Sequence, residues 1–308
     1  MMDFRRVSMI KSLAMRLVYA MLLFALVACS GGKEPTESGL FDIIWSGTQF
    51  VGVGNSGMIR TSPDGVSWTY QNFGITESLL NVVWSGTQFT AVGNHGAILT
   101  SPDGVTWTMQ TSGTTSDLYG IAWSGSQFAT VGGSGAILTS PTGTQWTLQT
   151  SGTSENLYGL AWSGTQFVAV GYAGMILTSP DAITWKVQIS GITDPLGGII
   201  WSGTQFVAIG NAGAVLTSPD GITWTAQTSG VENGLSGIAW SGTQFVAVGD
   251  TGTILTSPDA VTWTPRASGT SNSLFGVAWS GVLSQFVAVG WSNVILTSSD
   301  GISWTRRS

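Results

Sequence analysis

Six acidic residues occupy related places along the chain and are the side chains best suited to attract a cation or a basic partner. Each lies six to eight residues before a tryptophan of a regular series, and Asn272 takes the seventh place. The six are Glu37, Glu77, Asp117, Glu155, Asp194 and Glu232. If these places meet in one ring, the ring focuses a negative potential that attracts cations or a basic protein segment. The alternative is that the acids only keep exposed loops soluble.

Few other side chains in the sequence suggest a site. Calcium needs six to eight oxygens at one point, which a spread ring rarely supplies, so we predict no metal site. His95 is the only histidine and has no cysteine nearby, which favours a surface residue. Trp291 and Tyr172 take the same turn position in two repeats, where an exposed aromatic ring could stack on a sugar. The alternative is that these two rings fill hollows between repeats.

The candidate residues belong to a 39-residue repeat marked by two tryptophans. The first is Trp45, Trp84, Trp123, Trp162, Trp201, Trp240 and Trp279. The second is Trp68, Trp107, Trp146, Trp185, Trp224, Trp263 and Trp304, where a two-residue insertion between 281 and 286 displaces the last copy. Repeats of about this period that contain four short strands are typical of propeller blades. The sequence therefore predicts an all-β, seven-bladed β-propeller over residues 38–308, with four antiparallel strands in each blade.

The pattern within one repeat predicts how a blade is packed. A leucine stands five residues before each first tryptophan, as Leu157 does before Trp162, and strand alternation places the two on opposite faces. The second strand is apolar on both faces, as expected between two neighbouring blades. We expect a two-residue turn at Asn94-His95 and its counterparts to lead into the third strand. Trp162→Ala is expected to cost about 3–5 kcal/mol if the ring is buried between blades.

The third strand runs into a Ser-Pro-Asp-Gly segment that suits a type I turn. Its acids are Asp64, Asp103, Asp181, Asp220, Asp259 and Asp300, and Thr142 replaces the acid in the third repeat. With the Thr-Trp that follows, this segment resembles the Asp-box (BNR-like) repeats of sialidase-like propellers, although Asp64 and Gly65 are adjacent here. The chain also resembles the bacterial propellers grouped with the photosystem II stability and assembly factor family. The resemblance implies that these aspartates form structural turns away from any active site.

The first residues of the chain have the features of a bacterial lipoprotein signal. Arg5, Arg6, Lys11 and Arg16 precede a short apolar run at 17–28, which is too short to span a bilayer. The run ends in Leu-Val-Ala-Cys, which resembles a lipobox with Cys29 as the acylated residue. We therefore predict a signal peptide at 1–28, a flexible tether at 29–37 and a cell-envelope location, the outer membrane in a two-membrane cell. An ordinary signal peptide with a chance cysteine is the alternative.

The net charge of the chain limits the classes of molecule that it can bind. Without the signal peptide the chain keeps six cations and fifteen acids, for a formal net charge of −9. Binding to nucleic acid depends on clustered lysine and arginine, so the sequence predicts no nucleic-acid partner.

Enzymatic activity is not predicted. A sialidase-type site needs several arginines, yet only Arg60 and Arg266 lie within the repeats before the C-terminal pair Arg306 and Arg307. One histidine cannot build a convincing Ser-His-Asp set, and no glycine-rich phosphate loop leads from a strand into a helix.

The sequence favours a lipid-anchored monomer, without a cofactor, whose variable acidic loops bind a protein. Binding of a glycan through Trp291, Tyr172, Tyr119 and Tyr158 is the alternative. A sialidase-like glycoside hydrolase is a weaker one, and an adhesive coat without a discrete site is another.

Overall fold

The computed structural model describes residues 38–71 and 73–307. They form seven four-stranded sheets in which strand order follows the chain. The innermost strands contact one another around a closed ring, and the seventh contacts the first. The chain is therefore a seven-bladed β-propeller, as the repeat predicts, and no blade borrows a strand from another repeat. The predicted signal peptide, the tether, Cys29 and Glu37 lie outside the described residues.

Every blade has an inner, a second, a third and an outer strand. The inner strands are β1 Leu40–Trp45, β5 Leu79–Trp84, β9 Leu118–Trp123, β13 Leu157–Trp162, β17 Leu196–Trp201, β21 Leu235–Trp240 and β25 Leu274–Ser280. The second strands are β2 Phe50–Gly54, β6 Phe89–Gly93, β10 Phe128–Gly132, β14 Phe167–Gly171, β18 Phe206–Gly210, β22 Phe245–Gly249 and β26 Gln285–Gly290. The third strands are β3 Ile59–Ser62, β7 Ile98–Ser101, β11 Ile137–Ser140, β15 Ile176–Ser179, β19 Val215–Ser218, β23 Ile254–Ser257 and β27 Ile295–Ser298. The outer strands are β4 Thr69–Gln71, β8 Thr108–Gln110, β12 Thr147–Gln149, β16 Lys186–Gln188, β20 Thr225–Gln227, β24 Thr264–Arg266 and β28 Thr305–Arg307.

A three-residue 3-10 segment joins the second strand to the third in every blade. These segments are Asn55–Gly57, Asn94–Gly96, Gly133–Gly135, Tyr172–Gly174, Asn211–Gly213, Asp250–Gly252 and Trp291–Asn293. Because the strands alternate in direction, the 3-10 segments share one face with the connections from outer to inner strands. We call this the variable face. The inner hairpins and the Ser-Pro-Asp-Gly turns share the opposite face, which we call the repeat face.

A ring of hydrogen bonds joins the blades on the repeat face. The glutamine after each inner hairpin donates its Nε2 to a backbone carbonyl in the Ser-Pro-Asp-Gly turn of the next blade. Gln49 reaches Asp103 in this way at 2.7 Å, and Gln285 closes the ring on Asp64 at 3.0 Å. The other five donors are Gln88, Gln127, Gln166, Gln205 and Gln244. This ring accounts for the near-identity of both segments in all seven copies.

The turn aspartates are acceptors for their own turns. Asp64 Oδ1 accepts the N–H groups of Val66 and Ser67 at 2.8 and 2.7 Å, and the five other turn aspartates repeat this pattern. These backbone hydrogen bonds lower the pKa of each carboxyl below its usual value. The indole N–H of the second tryptophan donates to the carbonyl of the residue that follows the turn aspartate, as Trp107 does to Gly104 at 2.9 Å. Each turn is therefore held from within the blade and by the preceding blade.

Gln285→Ala is expected to lower the free energy of unfolding by about 1 kcal/mol, the usual net value of one such hydrogen bond. The loss falls on the seam that closes the ring, so we also expect faster proteolysis from the chain ends. Urea unfolding and limited proteolysis measure both effects. Gln166→Ala is the matched control, since it removes an equivalent bond between the fourth and fifth blades. Equal proteolysis of the two variants would show that the closing seam has no special weakness.

One prediction about the inner strand is wrong. The register shifts between Leu157 and Gly159, so Tyr158 is an extra, bulged residue opposite the second strand, and every inner strand has this bulge. A bulge reverses the alternation of side chains beyond it. Leu157 and Trp162 therefore pack into the same apolar cluster, on one side of the blade, rather than on opposite faces.

The turn on the variable face is also shifted by one residue from its predicted place. The Ala97 N–H donates to the Asn94 carbonyl, which makes His95 and Gly96 the central pair of the turn. Both have positive φ, at 54° and 74°. Two central residues with positive φ define the type I′ turn that suits hairpins.

The largest fully buried side chains are the phenylalanines at the first or second position of the second strands. They are Phe50, Phe89, Phe128, Phe167, Phe206, Phe245 and Phe286. Each packs against the first tryptophan of its blade, with ring centroids 4.1–4.6 Å apart. The first tryptophans themselves, Trp162 included, are only partly buried. The phenylalanines, rather than the first tryptophans, are thus the centres of the packing between blades.

This placement lowers the expected effect of Trp162→Ala. The indole covers Phe167 and keeps some contact with water, so its removal opens part of the cluster to solvent without leaving a closed cavity. We expect a loss of about 2 kcal/mol in the free energy of unfolding, below the range for a fully buried ring. Chemical unfolding of the purified chain measures it. A loss above about 4 kcal/mol would show that the indole is as important as a core residue.

Candidate functional site

The variable face carries the residues that differ most between blades. Its two kinds of loop are held together by the first N–H of each 3-10 segment, which donates to the carbonyl before the inner strand of the same blade. Tyr172 N–H donates to Asn156 at 2.8 Å and Trp291 N–H donates to Ser273 at 2.9 Å. The backbone is thus repeated in every blade while the side chains are not.

Asp117 has a structural partner on this face. Its Oδ1 accepts the His95 N–H of the preceding blade at 2.8 Å. Ser78, Asn156 and Ser273 occupy the same position and accept the N–H groups of Ser56, Ser134 and Thr251. Because neutral side chains serve equally well there, the charge of Asp117 is not needed for this contact.

The other predicted acids differ in their distance along the chain from the inner strand and in their burial. Glu77, Glu155 and Asp194 lie two residues before the inner-strand leucine, and Glu232 lies three residues before it. Glu77 and Glu155 are partly buried, whereas Asp194 and Glu232 are exposed. Within residues 38–71 and 73–307, no group of three or more His, Cys, Asp or Glu side chains is arranged to hold a metal ion. The acids are therefore distributed around the face as separate charges.

Asp42 is a functional candidate that the loop pattern did not reveal. It lies on the inner strand β1, and its Oδ2 accepts Asn81 Nδ2 at 2.7 Å and the Val82 N–H at 2.9 Å. Asn81 Oδ1 in turn accepts the Ile121 N–H at 3.1 Å, so one polar chain links the first three inner strands. Burial raises the pKa of Asp42 to about 7, against the lowering effect of the backbone hydrogen bonds.

The sequence of the repeat contains a signal for Asp42 and Asn81. The position two residues after the inner-strand leucine is glycine in five blades and holds Asp42 and Asn81 in the other two. A Cβ added at Gly120 or Gly237 would lie 2.7 or 2.5 Å from a carbonyl oxygen of the next blade. Where five copies leave no room for a side chain, a polar residue in the remaining two must have partners.

Two aromatic groups lie on the variable face. Trp291 stacks on Phe41 with ring centroids 6.2 Å apart and meets Phe275 edge-on at 6.3 Å. The ring centroids of Tyr119 and Tyr158 are 5.4 Å apart. Burial raises the pKa of Tyr119, and nearby Asp117 adds a smaller effect in the same direction. Tyr172 is 40% exposed, whereas Trp291 is partly buried by its two neighbours.

Neither of the two arginines within the repeats lies in a loop of this face. Arg60 is on the third strand β3, and Arg266 on the outer strand β24 donates its Nε to Thr256 Oγ1 at 2.9 Å. The exposed His95 and the partly buried Glu77 line one open groove of about 630 Å³ with Met109. The groove holds one histidine and one carboxylate, and the Ser112 hydroxyl on its lining donates to the Thr114 carbonyl at 3.1 Å.

Arg60 instead forms an exceptional contact at the closing seam. It stands where the other six blades have a buried leucine, and its Nη2 donates to Asn293 Oδ1 at 3.3 Å. Asn293 in turn replaces the glycine of the other 3-10 segments, with φ at 55°. The buried Nε of Arg60 has no hydrogen-bond partner within the described part of the chain.

Arg60→Leu combined with Asn293→Gly is expected to raise the free energy of unfolding by about 1–2 kcal/mol, because well-packed apolar residues often replace buried polar pairs at a gain. Both changes restore the residues found in the other blades. Asn293→Gly alone, the control, should lower stability, since it removes an acceptor from the partly buried guanidinium of Arg60. Thermal unfolding of the wild type, the double variant and Asn293→Gly measures the order of their stabilities. A double variant less stable than wild type would show that the polar contact stabilises the seam.

Solved structures similar to this chain share its fold. The structure of YCF48 bound to D1 peptide has a TM-score of 0.71 and 17% identity, covering 88% of this chain and 94% of that one. YCF48 from Cyanidioschyzon merolae has a TM-score of 0.67 and 19% identity, covering 86% and 96%. The WD40 β-propeller domain of Doa1 has a TM-score of 0.70 and 11% identity, covering 90% and 97%. At these identities the likeness shows the fold alone.

No protein-family model and no curated protein matches the sequence. Among the described residues, no helix is long and apolar enough to cross a membrane.

Proposed function

We propose that this chain is a non-enzymatic propeller that binds a protein partner through its variable face. One observation carries the proposal: all seven blades repeat the hydrogen-bonded repeat face, whereas the side chains of the variable face differ from blade to blade. A face whose backbone is fixed and whose side chains vary is suited to present one specific surface. A propeller of the same fold, YCF48, is described in complex with a D1 peptide, which is consistent with this role.

The proposal includes a lipid anchor at Cys29. The first strand begins on the variable face, where the Gly39 N–H donates to Asn55 Oδ1 at 2.8 Å. The nine residues 29–37 span at most about 30 Å when fully extended. A lipid at Cys29 would therefore keep the start of the propeller within about this distance of the membrane surface.

The anchor has its own test. Mass spectrometry of the N-terminal peptide should show an acylated Cys29, and Cys29→Ser should release the protein from the membrane fraction. An unmodified Cys29 in the mature protein would refute the anchor while leaving the binding proposal intact.

Affinity capture from crosslinked cell envelopes tests the binding. The wild type is compared with a variant in which Glu77, Glu155, Asp194 and Glu232 become Gln or Asn, with Asp117 kept because it holds the His95 N–H. The matched control changes Tyr70, Leu148 and Val187, which are exposed on outer strands, to Ser. We expect the same protein with wild type and control and much less with the acid variant. Equal loss in the control, or no protein at all, would contradict the proposal, and glycan arrays would follow the second result.

A further inference from the structure

We propose that five successive blades form an aromatic crescent on the variable face, which binds an extended protein segment that carries apolar or aromatic side chains followed by a lysine or arginine. This inference rests on the proposed function and specifies the chemistry of the partner. We define the crescent as Phe275 and Trp291 of blade seven, Phe41 of blade one, Tyr119 of blade three and Tyr172 of blade four. Tyr158 is buried and supports Tyr119, with ring centroids 5.4 Å apart. Leu80 occupies the corresponding place in blade two.

The bulge of the inner strand creates the crescent. Phe41, Leu80, Tyr119, Tyr158 and Phe275 are each the extra residue that the register shift leaves opposite the second strand. Bulges re-aim side chains, here at the ends of the inner strands that reach the variable face. Trp291 and Tyr172 begin the 3-10 segments on the same face, and Trp291 contacts both Phe41 and Phe275.

The crescent is open on one side. Blades five and six carry Gly197 and Ser236 at the bulge position, and Asn211 and Asp250 at the first position of their 3-10 segments. We call these two blades the gap. Nothing bulky from these four positions closes the gap, which leaves space for a ligand side chain between the ends of the crescent.

Charge complementarity selects the occupant. Asp194 and Glu232 are exposed on the connections of the gap, and Asp250 is half-buried there, where burial raises its pKa. The lysine and arginines of the described chain all lie on third or outer strands: Arg60, Lys186, Arg266, Arg306 and Arg307. Arg60 reaches a 3-10 segment of this face, where it donates to Asn293 of blade seven, outside the gap. A cation over the gap is therefore attracted by the acids there, while aromatic rings accept apolar side chains and also favour cations. A protein segment supplies both along one extended backbone.

Site-specific photocrosslinking in intact envelopes tests the crescent on the full chain. The photoreactive residue p-benzoylphenylalanine replaces Tyr172 at one end of the crescent, Thr193 beside the gap, or Tyr70 on an outer strand as the exposed control. We expect adducts from positions 172 and 193 to one segment of one partner. Peptide sequencing should find apolar or aromatic residues next to position 172 and a lysine or arginine next to position 193. Position 70 should give no such adduct.

Two further variants change the gap itself. Gly197→Tyr with Ser236→Tyr places there the residue type found in blades three and four, and should lower the adduct yield at position 172 about tenfold. If this variant unfolds earlier than wild type, Ser236→Lys provides the second test, since a cation in the gap should repel the basic residue and give the same loss. Unchanged yields in a folded gap variant would overturn the proposal.

The outcomes separate this inference from the proposed function. A captured protein that crosslinks elsewhere, or a segment at position 172 without a basic residue, would overturn the crescent and leave the binding role standing. Crosslinks only to lipid or glycan, with no protein captured, would overturn both.

Discussion

Phe167→Ala is expected to lower the free energy of unfolding by about 3–5 kcal/mol, the range for emptying a fully buried aromatic site. Phe167 has no exposed surface and packs against Trp162 at 4.5 Å between ring centroids. The neighbouring blades are held by the repeat-face hydrogen bonds and by their own phenylalanines, so the site cannot collapse freely. Urea unfolding followed by tryptophan fluorescence measures the loss, which should exceed that of Trp162→Ala.

Two variants control for this expectation. Phe167→Leu keeps most of the volume and should cost about 1 kcal/mol. Tyr70→Ala removes an aromatic ring that is 51% exposed on an outer strand and should change stability by less than about 0.5 kcal/mol. If Phe167→Ala costs no more than Tyr70→Ala, the second-strand phenylalanines are not the centres of packing between blades.

The number of blades was predictable because it depends only on repeat spacing. A 39-residue unit with two tryptophans can be counted in the sequence, and each copy contains its own four strands. The face of Leu157 was not predictable by alternation, because the bulge at Tyr158 adds a residue that no local composition marks. The ring of glutamines was visible as invariance between copies, but its hydrogen bonds join segments 54 or 56 residues apart and, at the closing seam, 221 residues apart.

The candidate site was less predictable than the fold. Residue type alone suggested that the loop acids act together, yet Asp117 serves the same backbone contact as Ser78 and Asn156. The crescent could not be predicted from the sequence, for a related reason. Phe41 and Trp291 are far apart in the sequence, and only closure of the ring brings blade seven beside blade one. Side-chain neighbours across a seam depend on the register of two strands, which composition does not determine.

Asp42 is expected to make the propeller less stable as the pH rises from about 4 to 7. Its pKa is raised to about 7 in the folded chain, whereas an aspartate in an unfolded chain has a pKa of about 3.9. Between these values the folded state holds a proton that the unfolded state has lost, so stability is fully present below pH 4 and falls as the pH approaches 7. Three pH units correspond to an upper limit of about 4 kcal/mol. Asp42 keeps some exposure, so we expect a loss of about 1–3 kcal/mol.

Asp42→Asn should remove most of this dependence. An amide oxygen can still accept the Asn81 and Val82 donors, while the ionisation is gone. Unfolding free energies at pH 5 and pH 8 should therefore differ much less in the variant than in wild type. A small slope of the same sign should remain, because burial also raises the pKa of Asp250.

Other titrating groups can be separated from Asp42. The six turn aspartates have lowered pKa values, so their contribution is lost only in acid, below this range. His95→Asn is the control because it removes the one imidazole of the sequence, and asparagine tolerates the positive φ of 54° at that position. If His95→Asn removes the slope and Asp42→Asn does not, the carboxyl of Asp42 is ionised in the folded protein at neutral pH. In that case the polar chain from Asp42 through Asn81 to Ile121 holds a charge instead of a proton.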